Sequence, residues 1–350
     1  MASSYSDIVY IGLACFILSF VICGFMVVVN LSDNPNHRSI HYKSNPTGGG
    51  LGIIAAIGLS LILVNIFIPE IQLSEDLPYF LICAIIVSFL GLLDDIYEIS
   101  VKYKFITTTI IAIITVLAMG PVIILPGFFS SITLPYLVGL FGSVLWIFVC
   151  IHGINFMDGA NGLMASFMFL ASATLAIIAF GTGALNSFIL GLILCFALLG
   201  FLPFNFSNNP KIFAGDTGSM LTGYIFSLSA LLLVKETDNA DLLYIGPILI
   251  LPLLSDIFIT MVGRLRLKEN FFSAHKEHLY QVLIIHNESH IKVSLTYLSA
   301  GIFFSSSILF LVVKEIRISM WVLLISTLLA VFVRRYTKRH IILKHKNKSQ

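Results

Sequence analysis

Apolar and polar residues in this chain are not interleaved; they come in blocks. Long apolar runs occupy residues 8–30, 51–69, 78–93, 105–125, 134–151, 162–181, 184–203, 217–234, 242–262, 294–313 and 318–333. Each approaches the roughly 20 predominantly apolar residues that a helix needs to cross a bilayer. Within hydrocarbon a single segment satisfies its backbone groups only as a helix. The pattern therefore predicts an all-α, polytopic integral membrane protein with eleven transmembrane helices. Pro121, Pro126 and Pro135 blur the end of the fourth run and the start of the fifth. Connecting stretches are short, except 31–50 and 263–293, and no fixed-period repeat is evident.

Composition agrees with the blocks. Of 350 residues, 58% are hydrophobic and 11% charged, and mean hydropathy is +0.99. Little chain remains for a soluble domain, so 1–335 reads as one transmembrane domain and 336–350 as a basic tail. A net charge of +2 carries no nucleic-acid footprint, and no nucleic-acid partner is expected. The five cysteines lie in or beside apolar runs without a CxxC pair, and read as packing residues. The opening MASSYSD has no Lys or Arg, so the first run is expected to be a retained helix rather than a signal peptide.

Charge orients the helices. Numbering alternate connections from the one after the first run, one side receives all of the 20 Lys and Arg residues except Lys235, Lys314 and Arg317. By the positive-inside rule that side is cytoplasmic, with the N-terminus outside and the C-terminus inside. The tail "RRYTKRHIILKHKNK" suits anionic lipid headgroups.

The unusual polar clusters share that side. They read "DNPNHRSIHYKSNPTGGG" (33–50), "GLLDDI" (91–96), "HGINFMDGANGL" (152–163), "NFSNNPKIFAGDTGS" (205–219) and "SAHKEHLYQ" (273–281). A lone "DGANG" would be an ordinary turn. Five clusters on one face point instead to one site built from many loops.

Those residue types suit phosphate chemistry. Gly48, Gly49 and Gly50 allow backbone N–H groups to approach an anion. Asp94, Asp95, Asp158 and Asp216 offer hard oxygen ligands for Mg²⁺. Lys43, Lys102, Lys104, His275 and His278 can neutralise phosphate oxygens. Vicinal acids also repel, so one of Asp94 and Asp95 can keep a raised pKa and accept a proton.

In this order the motifs resemble the polyprenyl-phosphate N-acetylhexosamine-1-phosphate transferases, within glycosyltransferase family 4. "NFMDGANGL" looks like that family's Asn-x-x-Asp-Gly-x-x-Gly-Leu loop, "FAGDTGS" like its Gly-Asp-x-Gly-Ser loop, and "HKEHLYQ" stands where it has its histidine loop. The resemblance implies a bundle of transmembrane helices with a cytoplasmic cleft in the bacterial inner membrane. It implies transfer of an N-acetyl-amino-sugar 1-phosphate from a UDP-sugar to undecaprenyl phosphate, with Mg²⁺ (or Mn²⁺) as cofactor. Membrane lipids surround the enzyme, and a homodimer is left open.

Residue by residue, the resemblance implies that Asp216 holds the metal, with Asp95 a second contact. Asp94 and Asp95 flank the reaction centre, and Asp158, His275 and His278 join them in catalysis. His41, Lys43, Asn155, Asp158, Gly159 and Asn161 line the nucleotide-sugar pocket. Gly48, Gly49, Lys104, His275 and His278 meet phosphates; were their segment helical, the two histidines would share a face. "HKEH", in place of consecutive histidines, looks closer to the branch that primes O-antigen and related surface glycans than to the peptidoglycan branch. Asn161 stands where many members have Asp, which favours hydrogen bonding over metal binding there.

Asp256 is the one acid inside an apolar run, open between a site role and a structural bond or ion pair. His152 reads as a polar helix end, and Asn205 as a cap or a cleft residue. His286 and His290 read as solvated, and Trp146 and Trp321 as packing or interfacial aromatics. The alternatives are the phospho-N-acetylmuramoyl-pentapeptide transferase of peptidoglycan synthesis, a secondary transporter, or a scaffold subunit. A transporter would bind at the bilayer midplane with broken helices in matching halves, whereas here the acids and histidines gather at one membrane edge. Which sugar is transferred is not readable.

Overall fold

The computed structural model describes residues 2–29, 47–68, 76–97, 99–269 and 275–348. His41 and Lys43, expected in the pocket, lie outside the described residues. Among those residues, ten helices are long and apolar enough to cross a membrane. They are α1 (Ala2–Val29), α2 (Gly49–Phe67), α3 (Leu77–Tyr97), α4 (Val101–Met119), α5 (Tyr136–Phe156), α6 (Leu163–Thr182), α7 (Leu185–Asn205), α8 (Gly215–Thr237), α12 (His290–Val313) and α13 (Met320–Lys348). A bent pair gives an eleventh if it is taken as one span: α9 (Ile245–Leu249), entered through a short 3₁₀ turn, and α10 (Leu251–Arg266) meet at 70°. Pro247 and Pro252 flank the bend, and their missing N–H groups interrupt the ladder there. The all-α reading therefore stands, and α11 (Leu279–Ile285) is an additional short helix in the histidine segment.

Two details differ from the pattern-based spans. The fourth run stops at Met119, and the proline-rich stretch after it forms a small antiparallel hairpin. Its strands are β1 (Ile124–Pro126) and β2 (Ser131–Thr133), with Ile124 opposite Thr133. Pro121 and Pro126 cannot donate to a helical ladder. Arg317 secures the hairpin by donating to the Phe129 carbonyl at 2.6 Å and pairing with Asp241 at 3.0 Å. At the other end, α13 runs unbroken past residue 335, where the tail was expected to begin.

The bundle is built around α8. Every residue from Thr217 to Val234 is buried, and the helix packs against α2, α3, α5, α6 and α7. Its sequence explains this: Gly218, Ser219, Thr222, Gly223, Ser227 and Ser229 keep its surface narrow, which lets neighbouring backbones come close. The approach is close at the first turn. A Cβ on Gly91 of α3 would stand 2.5 Å from the Asp216 carbonyl carbon, and one on Gly50 of α2 would collide with Thr217 and the Ala214 carbonyl. Outer faces of the peripheral helices carry exposed Phe20, Ile82, Ile110, Phe141 and Phe332, as a lipid-facing wall should.

Candidate active site at one end of the bundle

Every described polar cluster meets at the end of the bundle where α8 begins. Gly91 lets α3 lie against the first turn of α8, and this brings the paired acids to that turn. Gly215 takes a left-handed φ of 66°, which turns the chain into the helix with no side chain between it and Asp95. Asp95 then caps α8 from a neighbouring helix. Its Oδ1 accepts the Asp216 N–H at 2.8 Å, and its Oδ2 accepts the Thr217 N–H at 3.2 Å and hydroxyl at 2.7 Å. A carboxylate at a helix N-terminus meets unpaired donors and the positive end of the dipole. Asp95, expected as a second metal contact, thus holds the backbone of Asp216, the residue expected to carry the metal.

Asp216 and Asp94 share a cation. Lys104 Nζ stands 2.7 Å from Asp94 Oδ2 and 2.7 Å from Asp216 Oδ2, and the lysine is only 7% exposed. A solvated ion pair is thereby excluded. Lys104 was expected to meet phosphate; two of its three ammonium donors instead face carboxylates, leaving one for an anion. Asn155, at the end of α5, donates to Asp216 Oδ1 at 2.8 Å and to Ser219 Oγ at 2.9 Å. Ser219 and Thr217 were not singled out from the sequence, although both lie inside "GDTGS".

Asp158 stands in the turn after α5. Burial pushes its carboxyl well above the usual range, and the nearby charges of Asp216 and Asp95 push it further. Four carboxylates thus gather near the first turn of α8, two of them paired with Lys104. Among the described residues, no group of three or more His, Cys, Asp or Glu is arranged to hold a metal. Mg²⁺ does not require one: it takes one or two carboxylates and completes its shell with waters and substrate phosphates. The excess negative charge around the Asp94–Lys104–Asp216 group fits such an ion.

Other expectations are revised. Gly49 donates its N–H to the Phe213 carbonyl, and Gly50 to that of Ala214, both at 3.0 Å. These glycines dock α2 on the loop before α8, and their N–H groups are not offered to a phosphate. Gly48, just before them at φ 122°, makes the turn into α2. Asn161 is 1% exposed. Its Nδ2 donates to the Ser207 carbonyl at 2.8 Å, and its own carbonyl accepts from Ser294. Asn161, expected in the nucleotide-sugar pocket, joins these loops. Asn205 accepts the Gly162 N–H at 2.8 Å and donates to the Ile212 carbonyl, clamping the third and fourth clusters together. His152 is a buried partner of Thr108 at 2.8 Å, and His290 meets the Asn161 N–H rather than solvent alone.

The histidine segment comes in from the far side. Residues 275–277 are not helical, and His278 is the N-cap of α11, so the shared helical face does not exist. The rings nevertheless stand together, with centroids 4.9 Å apart. His278 is 4% exposed and lies between Phe156, at 6.4 Å, and Tyr280, at 6.1 Å. Tyr280 donates to the Phe156 carbonyl at 3.1 Å and packs over Gly159, where any side chain would collide with it. Gly159 thus makes room for Tyr280, next to Asp158. Burial lowers His278 to about 4. Burial and the Arg264 charge lower His275 as well. Both shifts favour the neutral imidazole. The Nδ1 atoms of both are buried without a partner among the described residues.

A model described as "Glycosyl transferase family 4" matches residues 77–234, which include the acid pair, Lys104, Asn155, Asp158 and Asp216. A Bacillus subtilis protein named "Probable undecaprenyl-phosphate N-acetylglucosaminyl 1-phosphate transferase" is 29% identical over 322 residues, covering 89% of this chain and 86% of its own. The undecaprenyl-phosphate alpha-N-acetylglucosaminyl 1-phosphate transferase of Salmonella typhi is 26% identical over 81% of this chain and 77% of its own. A decaprenyl-phosphate N-acetylglucosaminephosphotransferase of Mycobacterium leprae is 27% identical, covering 85% and 82%. The matched region, the many-helix apolar architecture and the acid cluster agree, and the chain is similar to members of glycosyl transferase family 4.

Proposed function

We propose that this chain transfers an N-acetyl-amino-sugar 1-phosphate from a UDP-sugar to undecaprenyl phosphate, releasing UMP. The observation that carries this reading is the Asp94–Lys104–Asp216–Asn155 cluster at a membrane-level end of the bundle. A lipid phosphate is held at that depth, and a soluble nucleotide reaches it from the aqueous side. In the transfer an acceptor phosphate oxygen bonds to the phosphorus of the sugar phosphate, and the bond from that phosphorus to the UMP oxygen breaks. The product is a lipid-linked pyrophosphoryl sugar. Catalysis of this kind is mainly positioning and charge neutralisation.

Asp216 is the proposed Mg²⁺ ligand, oriented by Asn155 and fixed through its backbone by Asp95. When bound, the ion supplies positive charge to the phosphate oxygens. Asp94 orients the acceptor phosphate and takes any proton it carries. The remaining donor of Lys104 faces a phosphate oxygen. Neutral His275 and His278 donate hydrogen bonds to the pyrophosphate of the UDP-sugar, and Asp158 faces its sugar. The side carrying these groups is proposed to be cytoplasmic, in a bacterial inner membrane, with the N-terminus outside and the C-terminus inside. The "HKEHLYQ" segment favours a surface-glycan or O-antigen role over peptidoglycan synthesis.

The test is purified protein with undecaprenyl phosphate, Mg²⁺ and a panel of UDP-N-acetyl-amino sugars. UMP release with formation of a lipid-linked sugar is expected, and its loss on adding a chelator. No UMP from any donor with active lipid present would refute the reading.

A further inference from the structure

Asp256 is absorbed by none of the roles above. It sits in α10, an acid in an apolar helix, and is 0% exposed. Apart from the Thr260 hydroxyl of its own helix, accepted at 3.4 Å, every neighbour it bonds belongs to the architecture around the histidine segment. Its Oδ1 accepts the Leu279 N–H at 2.8 Å, the first residue of α11. The same oxygen accepts Arg334 Nε, from α13, at 2.9 Å. Its Oδ2 accepts the Tyr297 hydroxyl, from α12, at 2.7 Å. Arg334 is 6% exposed and continues to Thr260 Oγ1 at 2.7 Å, back on α10.

We propose that Asp256 is a positioning residue, a buried carboxylate latch by which α12 and α13 fix the start of α11 and thereby the placement of His278. Leu279 directly follows His278. Holding its N–H leaves the His278 backbone little freedom to move. A second tie acts upstream, where Arg264 of α10 donates to Glu277 at 2.5 Å. The segment is thus held on both sides of the histidine by α10, while Tyr280 secures it to α5. The arrangement also explains an acid in hydrocarbon: a buried carboxylate is tolerated when paired and fully hydrogen-bonded. A merely structural ion pair would need no backbone N–H from the histidine segment.

The proposal rests on the assignment of His278 to the donor pyrophosphate, so its test separates the two. The full chain in detergent is labelled with diethyl pyrocarbonate, and modification at His278 is followed by peptide mass spectrometry. Affinity for UDP with Mg²⁺, the part common to all candidate donors, is measured on the same samples. Tyr297→Phe removes one bond to Oδ2 and keeps the ion pair; Asp256→Asn removes the charge. Arg317→Gln, at the hairpin on the opposite end, is the control. A hydrogen bond to a charged group shifts an opening equilibrium by roughly 10- to 100-fold. The latch predicts a rise of that order in His278 labelling for Tyr297→Phe and Asp256→Asn, none for Arg317→Gln, and weaker UDP binding in the first two. Increased labelling with unchanged UDP affinity would uphold the latch and overturn the pyrophosphate role of His278. Wild-type labelling in Tyr297→Phe would overturn the latch itself, and that variant decides the matter alone if Asp256→Asn does not fold.

Discussion

At the residue scale, Asp94 and Asp95 stand side by side in the sequence and face different work. Asp94 is paired with buried Lys104 beside Asp216, whereas Asp95 accepts three bonds from the start of α8. Asp94→Asn is therefore expected to lower kcat at least about 10²-fold, the low end for lost acid–base assistance. UDP affinity should change little, because the proposed nucleotide contacts lie in other loops. Turnover and UDP titration, measured separately, check this; turnover within threefold of wild type would remove Asp94 from the mechanism. His278 gives a pH prediction. Its pKa falls from near 6.5 unfolded to about 4 folded. Between those values the unfolded chain binds more protons than the native one. This contribution to stability is thus intact above about pH 6.5, erodes as pH falls, and is gone below about pH 4. Thermal unfolding of wild type and His278→Gln across pH 4–7 should show a steeper acid-side fall in the wild type. Parallel curves would show that His278 is not buried neutral.

At the element scale, the site depends on how closely α3 lies on α8. Gly91 is the contact point, and a Cβ there meets backbone, which cannot rotate away. Gly91→Val should push α3 outward, break the Asp95 cap and abolish transfer. The milder Asp95→Asn keeps α3 in place but weakens the cap by about 1–2 kcal/mol, the usual range for a lost capping interaction. It should lower the unfolding temperature measurably, whereas Asp94→Asn should not. Equal effects of the two substitutions on stability would contradict the division of roles. The hairpin β1–β2 lies at the other end, and Arg317→Gln, which frees it from Asp241 and Phe129, is expected to leave turnover within threefold.

Across the whole molecule, the clusters meet only if their connections lie on one side of the membrane. Single cysteines at 36, 98, 158, 212 and 275, in a background without the five native cysteines, should react only with reagents that reach the cytoplasm. Positions 240 and 315 should label from outside. Outside labelling at any of the first five would break the single-site architecture. The bent α9–α10 pair must count as one crossing for this alternation to hold, so the 70° bend is part of the prediction.

Much of this was legible in the chain. Apolar blocks of bilayer length specified the crossings, because hydrocarbon leaves a lone segment no structure but a helix. Basic asymmetry supplies an expectation of sidedness, and "LLDDI", "NFMDG" and "GDTGS" specified which residues would meet. What those residues do to one another was not legible. Asp95 as the cap of α8, Lys104 between two carboxylates, and Gly49 and Gly50 as docking surfaces all depend on contacts between segments far apart in sequence. A carboxylate reads the same whether it faces a metal, a lysine or a helix end. Asp256 is the clearest instance: composition marked it as unusual, but only the convergence of α10, α11, α12 and α13 on its two oxygens decided its role. Hydropathy is a property of local segments. The partner that satisfies a buried charge is chosen by packing.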